Sequence, residues 1–282
     1  MEITIKGNLL SFDKPLVMGI VNLTPDSFFS GSRLKDKDKA YAVISGMFEN
    51  GADIIDIGAM STRPGAPVID ENEEWERYCP VLEIILKYFP DKIFSIDTFR
   101  SGIAEKAVKD YGIDIINDIT AGEFDPLMFE TVAECKVPYI IMHMVGLPEN
   151  MQNNVNYGSL MGDMVLYFSE KVEKLKLLGV ADIIIDPGFG FSKTVDQNYI
   201  LLNHLESFKI FEMPILAGLS RKTMIWKYLD IIPEIALNGT TVLNTIALNN
   251  GADILRVHDV VEAKQTVELF CKTKMSKEDL WL

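Results

Sequence analysis

One pattern recurs eight times along this chain and limits its fold more than anything else does. A short run of β-branched and other apolar residues is followed each time by material of helical length. The runs are Leu16–Val21, Asp53–Ile57, Lys92–Ile96, Asp114–Ile116, Pro138–Met142, Asp182–Ile185, Pro214–Ala217 and Asp253–Val257. Each is continuously apolar rather than alternating, which predicts strands buried on both faces, as in a parallel sheet. Amphipathic stretches lie between them at Lys39–Asn50, Glu73–Tyr88, Gly102–Tyr111, Leu160–Leu178, Leu237–Asn249 and Val260–Lys272. In Leu160–Leu178 the apolar side is Met164, Phe168, Val172, Leu175 and Leu178, spaced three or four apart. The junctions repeat too. Gly51-Ala52-Asp53, Gly112-Ile113-Asp114, Gly179-Val180-Ala181-Asp182 and Gly251-Ala252-Asp253 all put glycine just after a helix, where a left-handed cap is needed.

Eight strand–helix units in 282 residues predict an α/β fold, a (β/α)8 barrel of the kind that usually takes about 250 residues. A doubly wound open sheet fits the same pattern, because periodicity does not show closure. The leading Ile3–Phe12 segment, with a Gly-Asn turn, reads as a β-hairpin closing the bottom of the barrel. The alternating charges of Lys35-Asp36-Lys37-Asp38-Lys39 read as a solvated turn. No low-complexity segment or linker divides the chain, so residues 1–282 read as a single domain.

Charge narrows the partners. With 27 Lys+Arg against 41 Asp+Glu the net charge is −14 and no basic block occurs, which argues against a nucleic-acid or anionic-membrane surface. Any anionic ligand must be held by a few placed cations. Cys79, Cys135 and Cys271 are scattered without CxxC spacing, which excludes a disulfide scaffold and a cysteine zinc site. The N-terminus has no signal layout and no apolar run approaches the roughly 18 residues of a membrane span. A soluble cytoplasmic protein is expected.

In a barrel the site lies at the C-terminal ends of the strands. Those positions carry Asn22, Asp56, Ser61-Thr62-Arg63, Asp97, Asn117-Asp118, His143, Asp186, Ser220-Arg221-Lys222, Arg256 and His258. Any one of the short polar residues alone is most simply a helix N-cap. Repeated around the ring, with Arg, Lys and His included, they predict a site. Arg63, Arg221, Lys222, Arg256 and His258 suit a phosphate or carboxylate. Asp97, Asn117 and Asp186 supply acceptors, and a carboxylate takes two parallel N–H bonds from a guanidine-like edge such as that of a 2-amino-pyrimidinone. A structural ion pair of Asp97 or Asp186 with Lys222 or Arg256 is the competing account. Met142, Met144 and Phe191 are either core or apolar walls for a flat ring. Two Gly/Pro-containing segments, Thr24–Ser32 and Ser61–Pro67, follow the first two strands and read as lids. The three histidines lack zinc-site spacing, and Asp186-Pro-Gly-Phe-Gly-Phe191 is neither GxGxxG nor a P-loop.

Eight ordered motifs over essentially the whole chain resemble those of the dihydropteroate synthase family. They are Met18-Gly-Ile-Val-Asn22-Leu-Thr-Pro-Asp-Ser-Phe28, Ser61-Thr-Arg-Pro-Gly65, Ser95-Ile-Asp97-Thr, Ile116-Asn117-Asp118, Met142-His-Met144, Asp186-Pro-Gly-Phe-Gly-Phe191, Gly218-Leu-Ser-Arg-Lys222 and Arg256-Val-His258-Asp. The resemblance implies a pterin-binding (β/α)8 barrel, usually a homodimer, and a cytoplasmic transferase of folate biosynthesis that is a sulfonamide target. The implied reaction joins 6-hydroxymethyl-7,8-dihydropterin diphosphate to 4-aminobenzoate, with Mg2+, giving 7,8-dihydropteroate and pyrophosphate.

The resemblance also implies roles. Asp97, Asn117, Met142, Asp186, Gly218 and Lys222 look like the pterin pocket. Thr62, Arg63, Arg256 and His258 look like the diphosphate site, with Asn22 as the Mg2+ ligand. Phe28, Arg63, Pro64, Phe191 and Ser220 look like the 4-aminobenzoate site, Ser220 being placed at a helix start. Arg63, Lys222, Arg256 and His258 are the implied catalytic groups, and the implied chemistry is dissociative. Two departures stand out: Ala59-Met60 replaces the usual Gly-Glu, and Phe29-Ser30-Gly31-Ser32 replaces the usual Ser-Asp-Gly-Gly. A methyltetrahydrofolate methyltransferase would share the Asp97/Asn117/Asp186 pocket without needing the diphosphate cations. A non-catalytic pterin-binding paralogue is the other alternative.

Overall fold

The computed structural model describes residues 1–23, 33–60, 68–146 and 156–278. The first elements are β1 (Glu2–Ile5) and β2 (Asn8–Ser11), an antiparallel hairpin in which Ile5 faces Asn8. Its turn is Lys6-Gly7, both at positive φ (49° and 76°), the handedness that matches twisted strands, so the turn precedes Asn8 rather than including it.

The strands then alternate with helices. They are β3 (Leu16–Asn22), β4 (Ile54–Gly58), β5 (Ile93–Asp97), β6 (Ile115–Asp118), β7 (Tyr139–Met142), β8 (Ile183–Asp186), β9 (Leu216–Ala217) and β10 (Ile254–Val257). The helices are α1 (Arg33–Glu49), α2 (Glu71–Tyr88), α3 (Ser101–Tyr111), α4 (Met128–Cys135), α5 (Leu160–Leu177), α6 (Val195–Asn203), α7 (Thr223–Trp226), α8 (Leu237–Asn249) and α9 (Val260–Glu278). Helix α1 starts at Arg33, so the charged Lys35–Lys39 stretch is helical and not a turn. Alternating charges are compatible with an exposed helix face, and Lys37 reaches Glu83 of α2 at 2.5 Å.

The eight barrel strands are parallel and run in the order β8-β7-β6-β5-β4-β3-β10-β9. An Ile185–Ile215 bridge, with the Ile185 N–H on the Pro214 carbonyl at 2.9 Å, joins the two ends, so the sheet closes into the predicted barrel. Both faces of the strands are buried. Outward-pointing Val17, Ile55, Phe94, Ile116, Ile141, Ile185, Ala217 and Leu255 pack under the helices. Inward-pointing Leu16, Met18, Ile54, Ile115, Ile140, Ile184, Leu216 and Ile254 fill the lumen, which Ile3, Ile5 and Phe12 of the hairpin segment plug from below.

The glycine junctions perform as their position demands: Gly51, Gly112, Gly179 and Gly251 all have positive φ. After Gly51, Gly112 and Gly251 the aspartate two residues later has a task of its own. Asp53 Oδ2 accepts from the Val17 N–H (2.8 Å), Asp114 Oδ2 from Phe94 (2.9 Å) and Asp253 Oδ2 from Ile215 (2.9 Å). Each staples the base of one strand to its neighbour.

Candidate active site

Side chains two residues apart along a strand share a face, so the lumen changes character at the next step up. Above Ile54, Ile93, Ile115, Ile140, Ile184, Leu216 and Ile254 stand Asp56, Ser95, Asn117, Met142, Asp186, Gly218 and Arg256. An apolar plug below and a polar tier above put the chemistry at the C-terminal mouth.

The tier is wired across the barrel. Arg256 donates through Nε to Asp56 Oδ2 (2.7 Å) and through Nη2 to Asp97 Oδ2 (2.8 Å). Asn117 Nδ2 donates to the same Asp56 oxygen at 3.0 Å. The ion pair considered for Asp97 is therefore real, and its partner is Arg256. Burial pushes the Asp97 carboxyl up to about 7, with Arg256 opposing and Asp56 reinforcing the shift. For Arg256, burial works against the charge but Asp56 and Asp97 outweigh it, so its pKa is raised. The Asp56 Oδ1 and Ser95 Oγ atoms, on positions in register across β4 and β5, are buried with no hydrogen-bond partner among the described residues.

Across the lumen, burial raises the pKa of Asp186, against the pull of Lys222 and of the Gly188 N–H, which lies 2.8 Å from Asp186 Oδ1. Lys222 donates to the Phe189 carbonyl and sits 4.4 Å from the centroid of the Phe191 ring, a cation–π contact. Burial lowers its ammonium to about 8, despite Asp186. Its stem runs where Gly190 has no side chain: a Cβ there would lie 2.9 Å from Lys222 Cδ. Met142 and Phe191 belong to a buried apolar cluster with Met60, Phe99, Ile119 and Met144 at the mouth.

Ser220 Oγ lies 3.0 Å from His258 Nδ1 and accepts from the His258 N–H at 3.2 Å, which brings those two predicted residues together. Ser220 is not at a helix start, however. Helix α7 begins three residues later and is four residues long, so the expected dipole contribution is small. Arg221, one of the five predicted cations, turns away: it makes a double contact to Asp259 (2.9 and 2.8 Å) and reaches the Pro233 and Glu234 carbonyls. Asn22 ends β3, with its Oδ1 3.5 Å from the Cβ position of Gly58 and Asp97 Oδ2 3.6 Å from the same point. Phe28, Thr62, Arg63 and Pro64 lie outside the described residues.

The flanks of segment 61–67 are firmly held. Tyr78 Oη accepts from the Ala59 N–H (3.1 Å) and donates to the Asp97 carbonyl (2.6 Å), while Arg77 donates to the Ala59 carbonyl (2.8 Å). On the far side, Arg100 donates to the Ile69 carbonyl (2.6 Å) and pairs with Glu74, which also accepts from Thr98 Oγ1 (2.7 Å). Met60, in place of the usual glutamate, is buried in the apolar cluster. Where the resemblance leads one to expect a carboxylate, the chain thus places an apolar side chain in the cluster that also holds Phe191 and Met142. No signal in the sequence hints at the roles of Tyr78, Arg100 or Glu74.

The comparisons with known proteins agree with this geometry. The sequence profile of the pterin binding enzyme family matches residues 18–258. The chain is 41% identical over 267 residues to the dihydropteroate synthase of Bacillus subtilis, covering 94% of this chain and 90% of that one. It is 38% identical over 281 residues to the dihydropteroate synthase of Escherichia coli K12, covering 99% of each. Among solved structures, a Yersinia pestis dihydropteroate synthase with a sulfonamide drug complex superposes with a TM-score of 0.90 at 38% identity, covering 98% of this chain and 100% of that one. A Xanthomonas albilineans dihydropteroate synthase with 4-aminobenzoic acid gives 0.88 at 34% identity, covering 97% and 98%.

Proposed function

Because the chain belongs to the dihydropteroate synthases of the pterin-binding enzyme family, we propose how its own residues carry that reaction. The enzyme is a transferase of folate synthesis that forms 7,8-dihydropteroate from the dihydropterin diphosphate and 4-aminobenzoate. The observation that carries the assignment of roles is the wired polar tier, Asn117–Asp56–Arg256–Asp97, facing Asp186 and Lys222.

Asp97, Asn117 and Asp186 take the hydrogen-bonding edge of the pterin, Lys222 meets its carbonyl or ring nitrogen, and Met142 and Gly218 leave room for the flat ring. Arg256 spends Nε and Nη2 on Asp56 and Asp97, so its Nη1 is the donor assigned to the diphosphate, with Thr62, Arg63 and His258. The bond between the pterin methylene carbon and the diphosphate oxygen breaks first, and the electron-rich dihydropterin spreads the positive charge. The neutral amine of 4-aminobenzoate then attacks, held by Ser220, Phe191, Phe28, Arg63 and Pro64. Positioning and fixed charges drive such a step; no strong base is required.

Among the described residues no cluster of three His, Cys, Asp or Glu side chains stands ready for a metal. The donor set fits Mg2+ carried in on the diphosphate, because Asn22 Oδ1, beside Asp97, would offer it one oxygen and phosphate and water would supply the rest. When bound there, Mg2+ would neutralise charge gathering on the leaving group. Segments 24–32 and 61–67 are assigned the closing of the second-substrate pocket, which keeps water from the cation.

A single barrel domain, a cytoplasmic location, sulfonamide binding at the 4-aminobenzoate site and a homodimer formed by α8 and α9 complete the reading. The deciding assay measures pyrophosphate release from the dihydropterin diphosphate with Mg2+, with and without 4-aminobenzoate. Release that depends on 4-aminobenzoate supports the reading; tight pterin binding without release overturns it.

A further inference from the structure

Lys193 is a buried lysine that the reaction as described does not use. It follows the Asp186–Phe191 segment and is only 3% exposed. No carboxylate pairs with it among the described residues. Its Nζ donates instead to the Gly188 and Phe191 carbonyls, both at 3.0 Å, and lies 3.0 Å from His143 Nδ1 and 3.4 Å from the His143 carbonyl. Burial pushes the ammonium down to about 7, with Asp186 opposing and Lys222 reinforcing the shift. Burial also holds His143 neutral, so its Nδ1 can accept.

The backbone around this ammonium is unusual. Gly188 and Gly190 have φ of 70° and 81°, and Ser192 has 49°. A Cβ on Gly188 would lie 2.2 Å from the His143 carbonyl oxygen, so the loop lies directly against the end of β7. Three bonds link Lys193 to the site. Its Nζ holds the Gly188 carbonyl, the N–H of that same residue holds Asp186 Oδ1 at 2.8 Å, and the Phe191 carbonyl fixes the ring under Lys222. Asn198 adds a second clamp by accepting from the Gly190 N–H at 2.7 Å.

We propose that Lys193 is a positioning residue for pterin binding: its ammonium clamps the Asp186–Phe191 loop onto His143 and thereby fixes the Asp186 carboxylate and the Phe191 ring. This rests on the assignment of Asp186 to the pterin edge. A lone buried ammonium is expensive to keep, and four acceptors from two strand ends are what the loop gains from it.

The test compares Lys193→Met and Asp186→Asn by calorimetric titration with 6-hydroxymethylpterin and by steady-state kinetics, with thermal melts as a control for folding. Lys193→Met should raise the pterin Kd and the KM for the pterin diphosphate at least tenfold, while kcat at saturation changes less than about threefold. Asp186→Asn should lose pterin binding outright. Loss with Asp186→Asn but an unchanged Kd with Lys193→Met overturns the positioning role alone; no effect of Asp186→Asn overturns the pterin assignment beneath it. Should Lys193→Met not fold, Lys193→Arg moves the donors while keeping the charge, and the same Kd criterion applies. In the wild type, the 15Nζ signal of Lys193 should shift on adding the pterin, and an unmoved signal would also overturn the proposal.

Discussion

Asp97 pairs with Arg256, but it is the burial of its carboxyl, against the pull of that guanidinium, that sets how it responds to pH. A carboxyl raised to about 7 from an ordinary value of about 3.9 binds its proton more tightly folded than unfolded. Its contribution to stability is complete below the unfolded value and is lost as pH rises through about 7. Its proposed role, accepting N–H bonds from the pterin, requires the opposite, ionised form. Pterin binding at pH near 6.5 should therefore release a fraction of a proton, read as a dependence of calorimetric enthalpy on buffer ionisation heat. Asp97→Asn should reduce that dependence markedly, leaving only the smaller share of Lys193, whose ammonium is also held near 7. Lys222, held near 8, is still charged there and does not obscure the result. In the proposed roles Arg63 serves the diphosphate rather than the pterin, so Arg63→Ala should cut turnover at least a hundredfold, the scale of a lost charge-stabilising donor, with the pterin Kd almost unchanged. Equal loss of both would show that Arg63 has been given the wrong task.

At the scale of elements, the barrel is held at its base by short-range devices that act away from the mouth. Asp114→Ala deletes the acceptor of the Phe94 N–H and the partner of Lys6. An unsatisfied buried N–H costs about 1–3 kcal/mol, so the melting temperature should fall while the pterin KM stays put. A raised KM would mean that the base and the mouth are mechanically coupled. These staples also show where sequence reading succeeds. The strands were legible because parallel strands buried on both faces leave unbroken β-branched runs, and the helix ends because glycine is needed at positive φ. Asn22, Asp97, Asn117, Asp186 and Arg256 were legible because polar residues ending apolar runs are conspicuous. Tertiary relations were not. Nothing local distinguishes Arg221, which faces Asp259, from Lys222, which faces the lumen. Nothing local marks Lys193 as a residue that the fold buries. The shortness of α7 follows from no obvious local signal, so the helix dipole expected at Ser220 could not be judged.

At the scale of the whole molecule, helices α8 and α9 carry exposed apolar side chains on one flank of the barrel. Between them runs a groove of about 600 Å3 lined by Thr241, Ile246, Gln265, Leu269, Phe270 and Thr273. Val242 and Ile246 of α8 and Val261 and Leu269 of α9 are exposed, Leu269 by 71%. Exposed apolar side chains on two neighbouring helices suit an interface, and a second copy of the chain is the occupant proposed above. Each chain carries a net charge of −14, so two copies repel at long range even where the patches match. Association should therefore strengthen as salt is raised from about 0.01 M to 0.15 M, where the screening length falls from about 30 to 8 Å. Light scattering should give twice the 31.7 kDa chain mass at the higher salt. Leu269→Glu places one more negative charge in the centre of the patch on each copy and should return the chain mass at every salt concentration. A dimer that survives this substitution would have to form through another face, and the exposure of α8 and α9 would then need a different partner.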